Sequence, residues 1–315
     1  MRILITGLGF IATHVAEVLS SKHEVTVTYR NLNPVKKVYH EKLEEKGVRL
    51  IKLDILSDTE RLREEVKKSD VVINFIGEIS GDEKTLYISN VEVPKTIASI
   101  IKESENKPIF IHTSGSTYGI TGEVKIEKEL GEGLNPQSPF EKTKLEGEKV
   151  VYSIAKGNFP LIIIRPTLVY GKYSAHIQFV TMYRLAKLGI IPKTGISFMP
   201  ISANNIGKMI LRLIEEKPML LYFYATECER VALEKFFEIY TKALGKRGIY
   251  IPIPKSIVKS AMPKEIRGLL KYEGTVYDCS VSKKLLGGLR FDENEVYQNA
   301  LFLKELDDKK ILIPT

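Results

Sequence analysis

Short apolar runs alternate with stretches of helical period along the first half of the chain. Arg2-Ile3-Leu4-Ile5-Thr6 ends at a glycine, and Ile11–Ser21 follows with Ile11, Val15, Val18 and Leu19 on one helical face. Glu24–Tyr29 is β-branched and strand-like. Pro34–Lys46 reads as a polar helix and Val48–Leu53 as a strand. Asp58–Lys68 reads as a helix that Asp58 would cap, and Val71–Ile76 as a buried strand. The alternation continues with a helix at Val91–Lys102, a strand at Ile109–Thr113, a helix at Lys142–Ala155 and a strand at Leu161–Arg165. Strands apolar on both faces, separated by helices, predict an α/β fold with a doubly wound parallel sheet of Rossmann type.

After Arg165-Pro166 the pattern loosens. Helices are predicted at Ile177–Lys187, Ile206–Glu216, Ala232–Leu244 and Glu295–Leu306, with Pro192, Pro200, Pro252, Pro254 and Pro263 breaking the stretches between. The expected organisation is a dinucleotide-binding domain over 1–170 and a smaller mixed substrate-binding or lid region over 171–315. The two are expected to interleave, part of 200–235 returning to the sheet.

Composition narrows the class. The 315 residues are 43% hydrophobic and 27% charged, as in a soluble globular protein. Two cysteines, Cys228 and Cys279, exclude a disulfide scaffold or multi-cysteine metal centre. His14, His23, His40, His112 and His176 are scattered, so no metal site is expected. No segment approaches the ~20 apolar residues of a membrane helix, and the N-terminus does not read as a secretory signal. A cytoplasmic protein without a membrane partner is expected. The net charge of +8 comes from lysines that interleave with glutamates, as in Glu41–Lys46 and Glu64–Lys68. With no arginine-rich tract, nucleic acid is not the expected partner.

The candidate chemistry begins at Gly7-Leu8-Gly9-Phe10-Ile11-Ala12, a G-x-G-x-x-A turn between the first strand and the first helix. There Gly7 allows the tight turn and Gly9 lets a pyrophosphate approach, while Ala12 keeps the helix close to the sheet. The second strand ends in Tyr29-Arg30-Asn31, without the acid that binds a ribose 2′-OH. An arginine there suits a 2′-phosphate, so NADP is favoured and NAD is the alternative. Asp54-Ile55, after the third strand, would flank the adenine.

Further motifs appear in order: Phe75-Ile76-Gly77, Asn90-Val91, Thr113–Gly119, Ser138–Glu148, Arg165–Gly171 and Asp278–Gly287. With Asp54-Ile55, this series resembles the NAD(P)-dependent epimerase/dehydratases, the extended and atypical branch of the short-chain dehydrogenase/reductase superfamily. The resemblance covers nearly the whole chain. It implies that Phe75, Ile76, Gly77, Asn90, Thr113, Pro166 and Thr167 line the cofactor. It also implies that Ser114 orients substrate and that Lys144 holds the ribose and tunes a tyrosine acid/base.

That tyrosine is missing: the motif reads Phe140-Glu141-Lys142-Thr143-Lys144. Losing a positioned acid/base typically costs about 100- to 10,000-fold. Tyr118, four residues beyond Ser114, is the substitute we name beside Ser114 and Lys144 as a catalytic candidate; Tyr170, Tyr173 and His176 lie in the next segment. His112 reads as a packed or cofactor-lining residue, and Glu141 and Lys142 as solvent-facing. Ala203-Asn204-Asn205 stands where the family often has paired aspartates.

The expected function is hydride transfer on a nucleotide sugar or related alcohol or ketone, with altered acid/base chemistry. Two other readings are a catalytically silent NADP(H)-binding or sensing module that docks on a partner protein, and an RNA-binding atypical member. The resemblance also implies a homodimer through Lys142–Ala155, although its Glu146, Glu148, Lys149 run is polar.

Overall fold

Apolar residues at both parities of a short run bury both faces of a strand, as in Ile3-Leu4-Ile5, Val71-Val72-Ile73 and Leu161-Ile162-Ile163-Ile164, which belong to one seven-stranded sheet. The computed structural model describes residues 1–261 and 267–314, so Pro263 lies outside the described residues. The N-terminal half runs β1 (Arg2–Thr6), α1 (Phe10–Ser20), β2 (Glu24–Tyr29), α2 (Pro34–Glu44), β3 (Arg49–Lys52), α3 (Thr59–Lys67) and β4 (Val71–Asn74). Next come α4 (Glu83–Tyr87), a π-helical turn at Ile88–Glu92, α5 (Val93–Glu103), β5 (Ile109–Thr113), β6 (Glu123–Val124), α6 (Pro139–Ala155), β7 (Leu161–Pro166) and β8 (Leu168–Tyr170).

The C-terminal half begins with α7 (Ile177–Lys187), β9 (Ile190–Lys193), β10 (Ser197–Phe198), β11 (Pro200–Ser202), α8 (Ala203–Glu216) and β12 (Leu220–Ala225). It continues through β13 (Val231–Ala232), α9 (Leu233–Ala243), β14 (Ile249–Pro252), α10 (Lys255–Ala261) and β15 (Val276–Tyr277). Helices Ser280–Leu286 and Glu293–Asp308 close the chain.

The main sheet has the order β12-β7-β5-β4-β1-β2-β3, and every neighbouring pair in it is parallel. The chain reverses direction across the sheet between β1 and β4, the crevice where doubly wound folds bind ligands. Ile3, Ile5 and Ile111 face Val15 of α1, Tyr39 of α2 and Ile210 of α8. On the other face Leu4, Val72, Phe110 and Ile163 meet Leu62 of α3, Ile97 of α5 and Val151 of α6. Each such aliphatic side chain contributes roughly 1.5–3 kcal/mol by leaving water.

Several expectations need correction. Asp58 sits at the N-cap of α3 without making a side-chain cap; its carboxylate instead accepts from Asp54 N at 2.8 Å, which closes the loop after β3. Pro192, Pro200 and Pro252 do not break structure but lie within two-stranded pairs: β9 with β14, and β8 with β11. Such pairs are all edge, where a missing N–H is tolerated. Helix starts at α4 and α6 come earlier than the periodicity suggests. Among the described residues, no helix is long and apolar enough to cross a membrane.

Candidate active site

At the C-terminal end of β1, Gly7 has φ +93°, and a Cβ there would lie 2.7 Å from Ile76 Cγ1, so both conformation and space call for glycine. Gly7 N donates to Thr28 Oγ1 at 3.1 Å and fixes the turn. Gly9 is the N-cap of α1, whose first turn carries no acid. A Cβ on Gly9 would meet nothing within 4 Å, so the helix start faces open space. Free N–H groups and the positive end of the helix dipole suit a pyrophosphate there. Of the remaining turn residues, Ala12 is buried against the sheet; Phe10 is buried too, its ring 5.0 Å from His176, and Ile11 is half-buried.

At the end of β2, Arg30 is 75% exposed and 3.8 Å from Asp54. An ion pair of that length in water is worth at most about 1 kcal/mol and is easily exchanged for a ligand. Tyr29 sets its ring edge-on to His40, and Asn31 is exposed. One Asp54 oxygen accepts from Leu56 N and Ser57 N, which shapes the loop that buries Ile55.

Beyond β4 the Phe75-Ile76-Gly77 loop is held from two sides. Asn74 Oδ1 accepts from Ile76 N and from Thr6 Oγ1. Asn90 Oδ1 accepts from Glu78 N at 3.0 Å, while its Nδ2 donates to Glu78 O and Thr143 Oγ1. Asn90 lies in the π-helical turn, an inserted residue of a kind that commonly re-aims a functional side chain. A Cβ on Gly77 would be 2.3 Å from Lys144 Nζ, so glycine is what lets the lysine reach the end of β4. Lys144 is 7% exposed, and no hydrogen bond or ion pair to its ammonium is present among the described residues. Burial lowers its pKa to about 8, against the opposing pull of Glu148 and Glu78.

Between β5 and β7 the buried charges are paired with one another. Ser114 Oγ lies 2.8 Å from Tyr118 Oη, which donates to Glu148 Oε1 at 2.6 Å. Arg165, fully buried, donates through Nε and Nη2 to Glu148 and through Nη1 and Nη2 to Glu127. Its guanidinium also stands over the rings of Tyr118, Tyr222 and Tyr224. Burial alone would lower the Arg165 pKa, but the two carboxylates outweigh it and raise it. Burial, then Glu148, pushes the Tyr118 phenol well above its ordinary range. An ionised carboxylate only accepts, so the Tyr118 proton points to Glu148 and Ser114 donates to Tyr118. Ser114 is therefore left as an acceptor for a ligand hydroxyl.

Phe140 Cζ would be 3.6 Å from a Cβ on Gly115, so the ring stands beside the Ser114 loop. His112 is buried, with Nδ1 3.2 Å from Asn74 Nδ2 and its other nitrogen unpartnered; burial, aided by Lys144, lowers its pKa to about 3. The Thr113 hydroxyl is likewise unpartnered. Pro166 ends β7, and Thr167 turns its hydroxyl to Ala225 O at 3.2 Å.

Glu141 is not solvent-facing. It is buried, completes a capping box with Ser138, and accepts from Tyr272 Oη at 2.7 Å. Lys142 does face solvent. Glu148 likewise points inward to Arg165, not outward with Glu146 and Lys149. Glu127 and Glu227 escaped the sequence reading. Glu227 accepts from Tyr170 Oη and Asn205 Nδ2, and burial raises its pKa to about 7. A charge in the apolar run Leu161–Arg165 was the one signal that buried carboxylates must exist.

A sequence model described as "NAD dependent epimerase/dehydratase family" matches residues 3–188. No curated protein matches the chain. Among solved structures it is similar to the UDP-glucuronic acid 4-epimerase from Bacillus cereus in complex with NAD, at 21% identity and TM-score 0.77 over 97% of both chains. It is similar to the Bordetella bronchiseptica enzyme WbmH in complex with NAD+, at 13% identity and TM-score 0.72 over 96% and 98% of the two chains. MoeE5 in complex with UDP-glucuronic acid and NAD aligns at 16% identity and TM-score 0.73 over 97% and 99%. At these identities the likeness is one of Rossmann-type fold, and it agrees with the sheet order, while the match to more than half of the chain settles the membership. The chain belongs to the NAD-dependent epimerase/dehydratase family.

Proposed function

We propose that this chain binds a nicotinamide dinucleotide along the C-terminal edge of β1, β2 and β4 and uses it for hydride transfer on a nucleotide sugar or related alcohol or ketone. The observation that carries the reading is the cradle: an open helix start at Gly9, a glycine-only turn at Gly7, and Lys144 held against Gly77. The nicotinamide, when bound, supplies the hydride acceptor or donor. Gly7, Gly9, Phe10, Ile11 and Ala12 would hold the pyrophosphate, Asp54 and Ile55 the adenine, and Lys144 with Asn90 the nicotinamide side. Phe75, Ile76, Gly77, Thr113, Pro166 and Thr167 would wall the groove.

NADP is the cofactor this reading favours over NAD. Arg30 is exposed and only loosely paired, and no acid stands at Tyr29–Asn31 to take a ribose hydroxyl. The nucleotide-sugar reading draws on the relatives with UDP-glucuronic acid. The substrate would lie between Ser114 and the region 171–315, which closes that side of the sheet. Phe140 has no exchangeable proton, and the Tyr118 phenol is committed to Glu148, so Tyr118 orients Ser114 instead of moving a proton at neutral pH. Lys144, near pKa 8, is the titratable group best matched to that task. Two free cysteines suit a cytoplasmic setting. Homodimerisation through α6 would use its exposed Lys142, Glu146 and Lys149.

Calorimetry with NADP+ and NAD+ tests the first claim: NADP+ should bind at least tenfold tighter, and Arg30→Ala should erase the preference. Incubation with NADP+ and UDP-sugars tests the second, read at 340 nm for net oxidation and by chromatography of the sugar for turnover in which the hydride is returned. Phe140 itself favours a second reading, a redox-silent dinucleotide module. Tight NADP(H) binding without turnover, with activity gained in Phe140→Tyr, would decide for it.

A further inference from the structure

The exposed apolar side chains are not spread evenly. Leu188 is 72% exposed, Ile249 63% and Ile257 56%, and Tyr250 and Ile251 are exposed with them. All belong to one neighbourhood. β9 and β14 pair in parallel, Ile249 N donates to Gly189 O at 2.8 Å next to Leu188, and α10 with Ile257 follows two residues after β14. Ile249 and Ile251, two residues apart, share one face of the ribbon. Tyr250, on the opposite face, leans back to bond Glu238 of α9 at 2.9 Å.

The charge is equally uneven. Segments 187–193 and 242–261 hold seven basic residues (Lys187, Lys193, Lys242, Lys246, Arg247, Lys255 and Lys259) and no Asp or Glu, against +8 for the whole chain. All seven are exposed. Lys187 pairs with Asp307 and Lys255 with Glu273; no ion pair to the other five is present among the described residues. In Glu41–Lys46 and Glu64–Lys68, by contrast, lysines sit among glutamates.

We propose that the β9–β14 ribbon and α10 dock this protein on an anionic lipid surface. Aliphatic side chains rimmed by unpaired cations are the composition of an interfacial membrane site: the isoleucines enter the acyl boundary while the cations meet headgroup charge. Two alternatives fit less well. A second copy adding a strand to β14 meets Pro252 and Pro254, which have no N–H to pair. RNA would call for a series of outward aromatic or arginine stacking surfaces; here Tyr250 is tied to Glu238, Arg247 stands alone among lysines, and the other outward side chains, Leu188, Ile249, Ile251 and Ile257, are aliphatic. No spanning segment is needed, and the dinucleotide cradle takes no part.

The test is co-sedimentation of the full chain with vesicles of equal parts phosphatidylglycerol and phosphatidylcholine, against pure phosphatidylcholine, at about 0.15 M salt. The protein should bind the anionic vesicles at least tenfold tighter. Ile249→Ser with Ile251→Ser should weaken binding about tenfold or more at an unchanged unfolding temperature. Lys246→Gln, Arg247→Gln and Lys259→Gln together should weaken it roughly a hundredfold and flatten its salt dependence. Three results would overturn the proposal: no sedimentation with anionic vesicles, equal binding to both vesicle types, or binding that both sets of variants leave intact. Salt-sensitive capture of a single-stranded RNA oligonucleotide without vesicle binding would assign the surface to nucleic acid instead.

Discussion

Lys144 and Arg165 are two buried cations on either side of Glu148, and they are built to opposite ends. Arg165 spends its donors on Glu148 and Glu127 and lies among three tyrosine rings. Its pKa is raised, and four of its five N–H donors are committed to those two carboxylates. Lys144 is buried against a glycine with its ammonium uncommitted, and its pKa is lowered to about 8. Burial makes each charge costly; partners decide whether the cost is met within the protein or left for a ligand to meet. On the function proposed above, the paired cation is scaffold and the unpaired one faces the ligand.

The largest test of that contrast is Arg165→Met. It would strand Glu148 and Glu127 as buried carboxylates without a counter-ion, and urea unfolding should show a loss of about 3–5 kcal/mol. A loss below about 1 kcal/mol would mean that the cluster is not what holds β7 to α6.

Lys144→Met should do the reverse. Because the folded pKa of this base lies below its ordinary 10.5, the unfolded chain holds the proton more tightly between pH 8 and 10.5. Stability therefore rises with pH across that window, by at most on the order of 3 kcal/mol from this group. Tyrosines with raised pKa pull the other way, so the measurement is the difference between wild type and variant. Lys144→Met should be as stable as wild type or more so at pH 7, and the advantage should vanish by pH 10.5. Dinucleotide affinity should fall at least tenfold in the variant, and in wild type it should weaken as pH rises through about 8. A variant that unfolds easily and still binds cofactor would put Lys144 with Arg165 as scaffold.

How much of this was legible depended on range. The β1–β5 and β7 strands announced themselves because local period and burial agree. β12 was legible only as an unplaced part of 200–235: Leu220–Ala225 follows Pro218, and its pairing with β7 is what places it at the sheet edge. Lys144 and Asn90 were legible from ordered motifs, and Arg165 as a charge in an apolar run. Glu127, from a loop without period, was not. Ser138-Pro139-Phe140-Glu141 spells a capping box, but the inward turn of Glu141 depends on Tyr272, 131 residues away, which local sequence does not show. The acid-free windows beside the ribbon were visible as composition, but only the pairing of β9 with β14 brought them to one place.

The smallest effect falls on the link between the two sides. Tyr118 passes the polarity of Glu148 on to Ser114, so Tyr118→Phe removes one bond to a carboxylate that keeps Arg165. The cost should be about 1–2 kcal/mol in urea unfolding, well under that of Arg165→Met. Its sharper consequence is chemical. With no acceptor behind it, the Ser114 hydroxyl can turn and donate. Wild type should favour a ligand that presents a hydroxyl at Ser114 over the matching ketone, and Tyr118→Phe should narrow that ratio severalfold while dinucleotide affinity holds. Competition binding with a UDP-hexose and its keto form reads this directly. An unchanged ratio would mean that the wall around Arg165 supports Ser114 without setting what it accepts.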